Sequence, residues 1–167
     1  MQGLMQDWPL LVHTILDHAS RWHGSQEIVS RRVEGDISRT TYRELDHRAR
    51  ALASAAQVGL DLKHGDVVCT MSWNGYRHME TWYGLMGLGC VVHTLNPRLF
   101  ADQLAYVVNH GEGKWIFLDL TFVPILEGLQ DRLAGVKGYV IMTDGEHMPE
   151  STTLKNVIGY EDLISGG

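Results

Sequence analysis

The sequence predicts an α/β fold: alternating helices and a mostly parallel sheet, with a β-hairpin near the N-terminus. Three observations carry this expectation. Short β-rich runs alternate with segments of helical period, and consecutive parallel strands need a crossover that a helix supplies. A chain of 167 residues is long enough to bury the core of one domain. Its composition, 44% hydrophobic and 20% charged, excludes a disordered or collagen-like chain.

Taken in order, Leu11, Ile15, Ala19 and Trp22 recur every three to four residues from Leu10 and predict a helix that ends near His23 and Gly24. The runs 27–31 and 37–41 flank Glu34-Gly35-Asp36 and predict a hairpin with one solvated face. Thr41-Tyr42-Arg43-Glu44 is a capping box, and Leu45, Ala49, Leu52, Ala53 and Ala56 then share a helical face up to Gly59. Val67 to Met71 reads as a buried strand. After the loop Ser72-Trp73-Asn74-Gly75, the spacing of Met79, Trp82, Tyr83 and Met86 predicts an amphipathic helix with those residues inward. A strand within Cys90 to Leu95, a helix over 102–109, a strand over 115–118, a helix over 122–133, a strand over 139–142 and a short helix over 160–164 complete the pattern. The segment 143–156, broken by Gly145, Pro149 and a Ser-Thr-Thr cluster, is expected to be flexible.

With 14 basic and 20 acidic residues the formal charge is −6, and no basic stripe with interleaved aromatics appears. Nucleic acid is therefore not an expected partner. Cys69 and Cys90 lie in apolar runs without the spacing of a zinc or redox motif and read as buried thiols. Met1 to Val12 carries Asp7 and no Lys or Arg, unlike the start of a signal peptide, and no run is long enough for a transmembrane segment. A cytoplasmic location is expected.

The usual nucleotide loops are absent. No Gly-x-x-x-x-Gly-Lys-Ser/Thr occurs, and Gly84, Gly87 and Gly89 have the wrong order for a dinucleotide fingerprint. Those glycines are expected to end a helix and to let it pack closely on the sheet. Among the nine histidines, His13, His18 and His23 are five residues apart and should diverge on a helix, so no metal site is expected. His93, at a strand end, reads as a hydrogen-bonded structural histidine, with a ligand role as the alternative. Trp73 is the aromatic best placed for a crevice, whereas Arg77 and Glu80 read as a surface pair three residues apart. The most pointed segment is Leu95-Asn96-Pro97-Arg98-Leu99. Pro97 stops strand pairing, and Arg98 offers a planar cation suited to phosphate or carboxylate, a solvated or salt-bridged arginine being the alternative reading.

At this level the residues also carry a family resemblance. Thr40-Thr41-Tyr42-Arg43-Glu44-Leu45 with Ala49-Arg50-Ala51-Leu52-Ala53 resembles the first core motif of the adenylate-forming superfamily. Trp73 to Glu80, Gly87 to Leu99 and Tyr106 to His110 resemble one branch of it, the bacterial fatty-acid and alkylthio-propionate CoA ligases, and the similarity runs from about Trp8 to Leu163. The resemblance implies that residues 1–167 form the N-terminal part of the large adenylation domain, truncated before the loop that handles the ATP phosphates. For the full-length enzyme it implies ATP, Mg2+ and CoA, a fatty or related carboxylic acid as substrate, and a homodimer joined partly through the first helix. The fragment alone is then expected to be inactive and to bind no cofactor. Arg98 is carried over as a contact to a CoA phosphate, with no catalytic residue and no metal ligand in this stretch. Gly111 and Gly113 stand where the branch usually has Ala and Asp, a departure expected to loosen that turn. The alternatives are a stand-alone nucleotide- or acyl-binding module and an oligomerisation module.

Overall fold

The computed structural model describes residues 3–5 and 7–166. Its elements in chain order are α1 (His13–Trp22), β1 (Glu27–Arg31), β2 (Ile37–Thr41), α2 (Tyr42–Gly59), β3 (Val67–Met71), α3 (Tyr76–Leu88), β4 (Val91–Thr94), α4 (Ala101–His110), β5 (Trp115–Leu118), α5 (Val123–Glu127), β6 (Gly138–Ile141), β7 (Val157–Gly159) and α6 (Tyr160–Ser165). β1 and β2 form an antiparallel ribbon of their own, while the other five strands make one parallel sheet in the order β4-β3-β5-β6-β7.

The strands keep a period of two although both sheet faces are covered. Cys69, Met71, Ile116, Leu118, Tyr139 and Ile141 join the core under α4 and α5. Val68, Trp115, Phe117 and Val140 join the core under α2, α3 and α6. α2 starts at the anticipated capping box: Thr41 Oγ1 accepts from the Glu44 N–H, and the Glu44 carboxylate accepts from the Thr41 N–H at 2.8 Å.

Two elements differ from expectation. The helix expected over 122–133 is broken into a 3₁₀ turn at Leu120–Phe122, the five-residue α5 and a second 3₁₀ turn at Gln130–Arg132. Pro124 can sit only in a first turn, and Gly128 closes the helix four residues later. β7 was not anticipated, because three residues are too few to show a period. The segment 143–156 carries defined contacts: Thr152 Oγ1 and the Thr153 N–H both donate to Glu127 Oε1 at 2.8 Å, and Leu154 is buried.

The strand order fixes where a site can form. The chain leaves β3 outward to β4, then returns past β3 to β5, so the direction of winding reverses between β3 and β5. In open parallel sheets, ligands bind outside the carboxyl ends of the strands at such a reversal.

Candidate functional site

At the carboxyl ends of β3 and β5, Met71 and Leu118 are in register, and the residues that follow form a polar crevice. Ser72 Oγ donates to Asp119 Oδ2 at 2.8 Å, and the Trp73 N–H donates to the same oxygen at 2.7 Å. Asp119 is buried, and burial pushes its carboxyl up, with the charge of Glu34 adding to the effect against those two donors. The Trp73 ring lies 5.2 Å from that of Phe122, half in solvent. The same carboxylate thus fixes the loop that leads into α3.

Beside the crevice a buried ionic network ties five regions together: the ribbon tip, α2, α3, the residues after β6 and α6. Arg77 Nη1 donates to Glu34 Oε1 at 2.6 Å and to the Met142 carbonyl at 3.1 Å, while its Nε donates to Glu161 Oε1 at 2.8 Å. Thr143 Oγ1 also donates to Glu34, at 2.9 Å. Arg48 Nε donates to Glu80 Oε1 at 2.7 Å, and Tyr160 Oη donates to Glu80 Oε2 at 2.8 Å. Burial pushes the Glu80 carboxyl up, with Arg48 opposing. For Glu34 burial acts upward too, but its own backbone N–H, Arg77 and Thr143 together bring the carboxyl below the usual range.

This corrects the expectation of a surface pair: Arg77 is 6% exposed, Glu80 is 0% exposed, and each has other partners. The physical reason is that α3 is turned the other way. Its buried face is Arg77, Glu80, Thr81, Gly84 and Leu85, whereas Trp82 is 42% exposed and Met79 and Tyr83 are only half-buried. The signal was present as Thr81, Gly84 and Leu85 at helical spacing. Gly84 is required there because a Cβ would lie 2.5 Å from the Ala49 carbonyl oxygen, so its close approach is to α2 and not to the sheet. Gly89 ends α3 at φ +88°, as expected of a helix-closing glycine.

The apolar stripe of α3 lines an open hollow of about 450 Å³ against the ribbon, with Ile28, Val29, Met79, Trp82 and Tyr83 on its walls. At its polar end Trp82 Nε1 donates to His78 Nε2 at 3.1 Å. An indole N–H can only donate, so His78 is neutral with its proton on Nδ1, and burial lowers its pKa accordingly.

The remaining candidates lie apart from the crevice. Arg98 is exposed in the turn after the edge strand β4. Its N–H donates to Asn96 Oδ1 at 3.0 Å, and its guanidinium has no ion pair among the described residues. His93 packs in the sheet with Nδ1 3.9 Å from Cys69 Sγ, the thiol being pushed up to about 12 by burial. Gly111 and Gly113 serve this packing. A Cβ would fall 2.6 Å from His93 Nδ1 at the first and 2.5 Å from Cys69 Sγ at the second, so neither position takes a side chain unless His93 or Cys69 shifts. His18 and His23 do meet, with ring centroids 5.9 Å apart, because the chain leaves the helix at Trp22. Among the described residues no three His, Cys, Asp or Glu side chains converge on a metal-sized site. Asp119, Glu34, Arg48, Tyr160 and Glu161 were not foreseen as site residues. Their partners lie 32 to 113 residues away in sequence, beyond any local pattern.

Comparison with known proteins agrees with this architecture. The family model described as AMP-binding enzyme matches residues 16–162. A medium-chain-fatty-acid–CoA ligase of Ectopseudomonas oleovorans is 40% identical over 167 residues, covering 100% of this chain and 30% of that protein. A 3-methylmercaptopropionyl-CoA ligase of Ruegeria lacuscaerulensis is 42% identical over 170 residues, covering 100% of this chain and 31% of that protein. The solved structure of an anthranilate CoA ligase with anthranoyl-AMP superposes with a TM-score of 0.80 at 17% identity, over 97% of this chain and 30% of that one, which shows the shared fold. The chain therefore spans under a third of the length of these relatives. On the match over residues 16–162 and the identity along its whole length, the chain belongs to the AMP-binding enzyme family.

Proposed function

We propose that the chain is part of the large domain of an acyl-CoA ligase that activates a fatty or related carboxylic acid. The observation that carries this is identity of 40% or more along the whole chain to two proteins named as such ligases. In this reading a carboxylate oxygen of the acid attacks the α-phosphate of ATP and pyrophosphate leaves, giving an acyl-adenylate. The CoA thiolate then attacks the acyl carbonyl and AMP leaves, giving the thioester. Charge builds on phosphate oxygens in the first step, which calls for donors fixed in advance. This chain contributes a scaffold whose sheet reverses at the Asp119 crevice, and an exposed cation, Arg98, which has no ion pair among the described residues, just past the end of the edge strand to meet a CoA phosphate. Mg2+ offsets phosphate charge when bound with ATP; no ligand for it is assigned among the described residues.

The finer elements of the reading are cytoplasmic location and homodimerisation through the α1 region, where Ile15 of the helix and Leu11 just before it are exposed. No helix of the described residues is long and apolar enough to cross a membrane.

Assay of the parent polypeptide for AMP release from ATP, CoA and octanoate or an alkylthio-propionate tests the proposal. Acid- and CoA-dependent AMP formation is expected, and its absence with every such acid refutes the reading. The 167-residue chain alone should release no pyrophosphate from ATP and octanoate. The five-stranded parallel sheet with a winding reversal favours one second reading, a stand-alone binding module. Calorimetry that finds no binding of AMP, CoA or fatty acid by this chain removes it.

A further inference from the structure

We infer that the β1–β2 ribbon is a strap across the crevice at the carboxyl ends of β3 and β5, latched at its turn and able to lift while the sheet stays folded, and that lifting opens the crevice to a ligand. The ribbon shares no backbone pairing with the five-stranded sheet. An isolated two-stranded hairpin is marginal in water, and apolar burial holds this one mainly at Ile28, which packs part-buried against Leu16, Leu45 and Ala49, while Val29 and Ile37 are 53% and 62% exposed and Ser30 is the one buried residue of the two strands.

Polar contacts fasten the tip. The Glu34 side chain, only 2% exposed, accepts from Arg77 at 2.6 Å and from Thr143 at 2.9 Å, while Arg32 Nη1 donates to Asp144 Oδ2 at 3.2 Å. A carboxylate buried at a hairpin tip is stable only when paired, so these contacts are made or lost together. The other end is a natural hinge. There the Tyr42 and Arg43 N–H groups donate to the Gln26 and Gly24 carbonyls, next to the Thr41 capping box.

Beneath the strap the crevice has a volume of about 30 Å³, enough for one water, between Ser30 and Glu34 of the ribbon and Ser72, Trp73 and Asp119 of the sheet. The adjoining hollow of about 450 Å³ shares Ser30, Asn74, Gly75 and His78 with it. Lifting the ribbon removes the wall that Ser30 provides and joins the two. The closed strap therefore restricts a ligand-sized crevice to a single water at the point where parallel sheets bind ligands.

Hydrogen exchange followed by mass spectrometry on the 167-residue chain tests this. Amides of residues 27–41 should exchange faster than those of β3 and β5. Glu34→Gln should speed the ribbon amides a further 10- to 100-fold, roughly, with the sheet amides unchanged. If that variant does not fold, Asp144→Asn, at the more exposed contact, should give the same pattern with a smaller factor, about 3- to 10-fold. A Ser30→Cys thiol should be alkylated slowly, and its rate should rise by the same factor as ribbon exchange when the latch is broken. A single common exchange rate for ribbon and sheet, in the wild type and in the latch variants, overturns the strap. Alkylation of the Ser30→Cys thiol that ignores the latch substitution overturns the gating.

Discussion

Replacing Arg77 by Met keeps most of the stem volume and removes the guanidinium, and it should be among the most damaging single changes in the chain. Arg77 and Glu34 have side-chain exposures of 7% and 2%, so the pair is desolvated, and three acceptors, Glu34, Glu161 and the Met142 carbonyl, lose a donor at once. Breaking a buried pair on one side costs about 3–5 kcal/mol, because the surviving charge stays buried without compensation. For a chain of this length each kcal/mol moves the melting temperature by about 2–4 °C. Arg77→Met should therefore lower Tm by about 6–20 °C in a calorimetric or circular-dichroism melt. Arg77→Lys should recover only part of the loss, since a single ammonium cannot span all three acceptors. The cycle with Glu34→Leu separates charge from packing: the double variant should be more stable than the sum of the single losses, because no uncompensated charge remains at the tip. A loss below about 1 kcal/mol for Arg77→Met refutes the argument, since that is the range of a surface pair.

The other predictions are narrower. The Glu34 carboxyl lies below its ordinary value in the fold, so its contribution is complete above the unfolded value of about 4.3 and is lost as pH falls through the folded one. The stability difference between wild type and Glu34→Gln, from urea titrations, should thus shrink as pH is lowered through that window. Taking the difference cancels the opposite contribution of Glu80, and a constant difference rejects the assignment. Gly84→Ala should destabilise the chain by about 1–3 kcal/mol, the reverse of the roughly 1 kcal/mol gain usual in a helix, because the new Cβ meets the Ala49 carbonyl at 2.5 Å. A rise in the urea midpoint means that α2 and α3 can separate at no cost. On the proposed ligase reading, Arg98→Ala in the full-length protein should raise the KM for CoA and leave acyl-adenylate formation nearly intact. Equal losses in both half-reactions make Arg98 structural.

Local chemistry made some elements legible in the sequence. The Thr41–Glu44 capping box, the turn at Glu34-Gly35-Asp36 and the helix-closing Gly89 each act within a few residues, so the hairpin and the start of α2 stand where their residues predict. The orientation of α3 was not legible in the same way. Its two faces compete, one with Met79, Trp82 and Tyr83 and the other with Arg77, Glu80, Thr81, Gly84 and Leu85, and hydrophobicity alone selects the first. Packing selects the second, because only a face carrying Gly84 can approach the backbone of α2. Two charges are drawn inside as a result, and they are tolerable only because Arg48, Tyr160, Glu34 and Glu161 arrive from distant parts of the chain to meet them.

That choice also shapes the site. With the small residues of α3 committed to α2, its aromatic stripe is left facing the ribbon, and the hollow of about 450 Å³ is the consequence. The same turn of the helix aims Arg77 at the ribbon tip, where it meets Glu34, and puts Gly75 and His78 on the wall between crevice and hollow. Close packing of the Gly84 face, from which Arg77 also reaches the ribbon tip, and the open aromatic surface on the other side of α3 are thus one structural fact. A substitution that rotates α3, such as a larger residue at Gly84, should therefore loosen the ribbon as well as the helix pair. Hydrogen exchange of residues 27–41 in Gly84→Ala checks this coupling: faster ribbon exchange at an unchanged β3 and β5 supports it, and an undisturbed ribbon in a destabilised chain denies it.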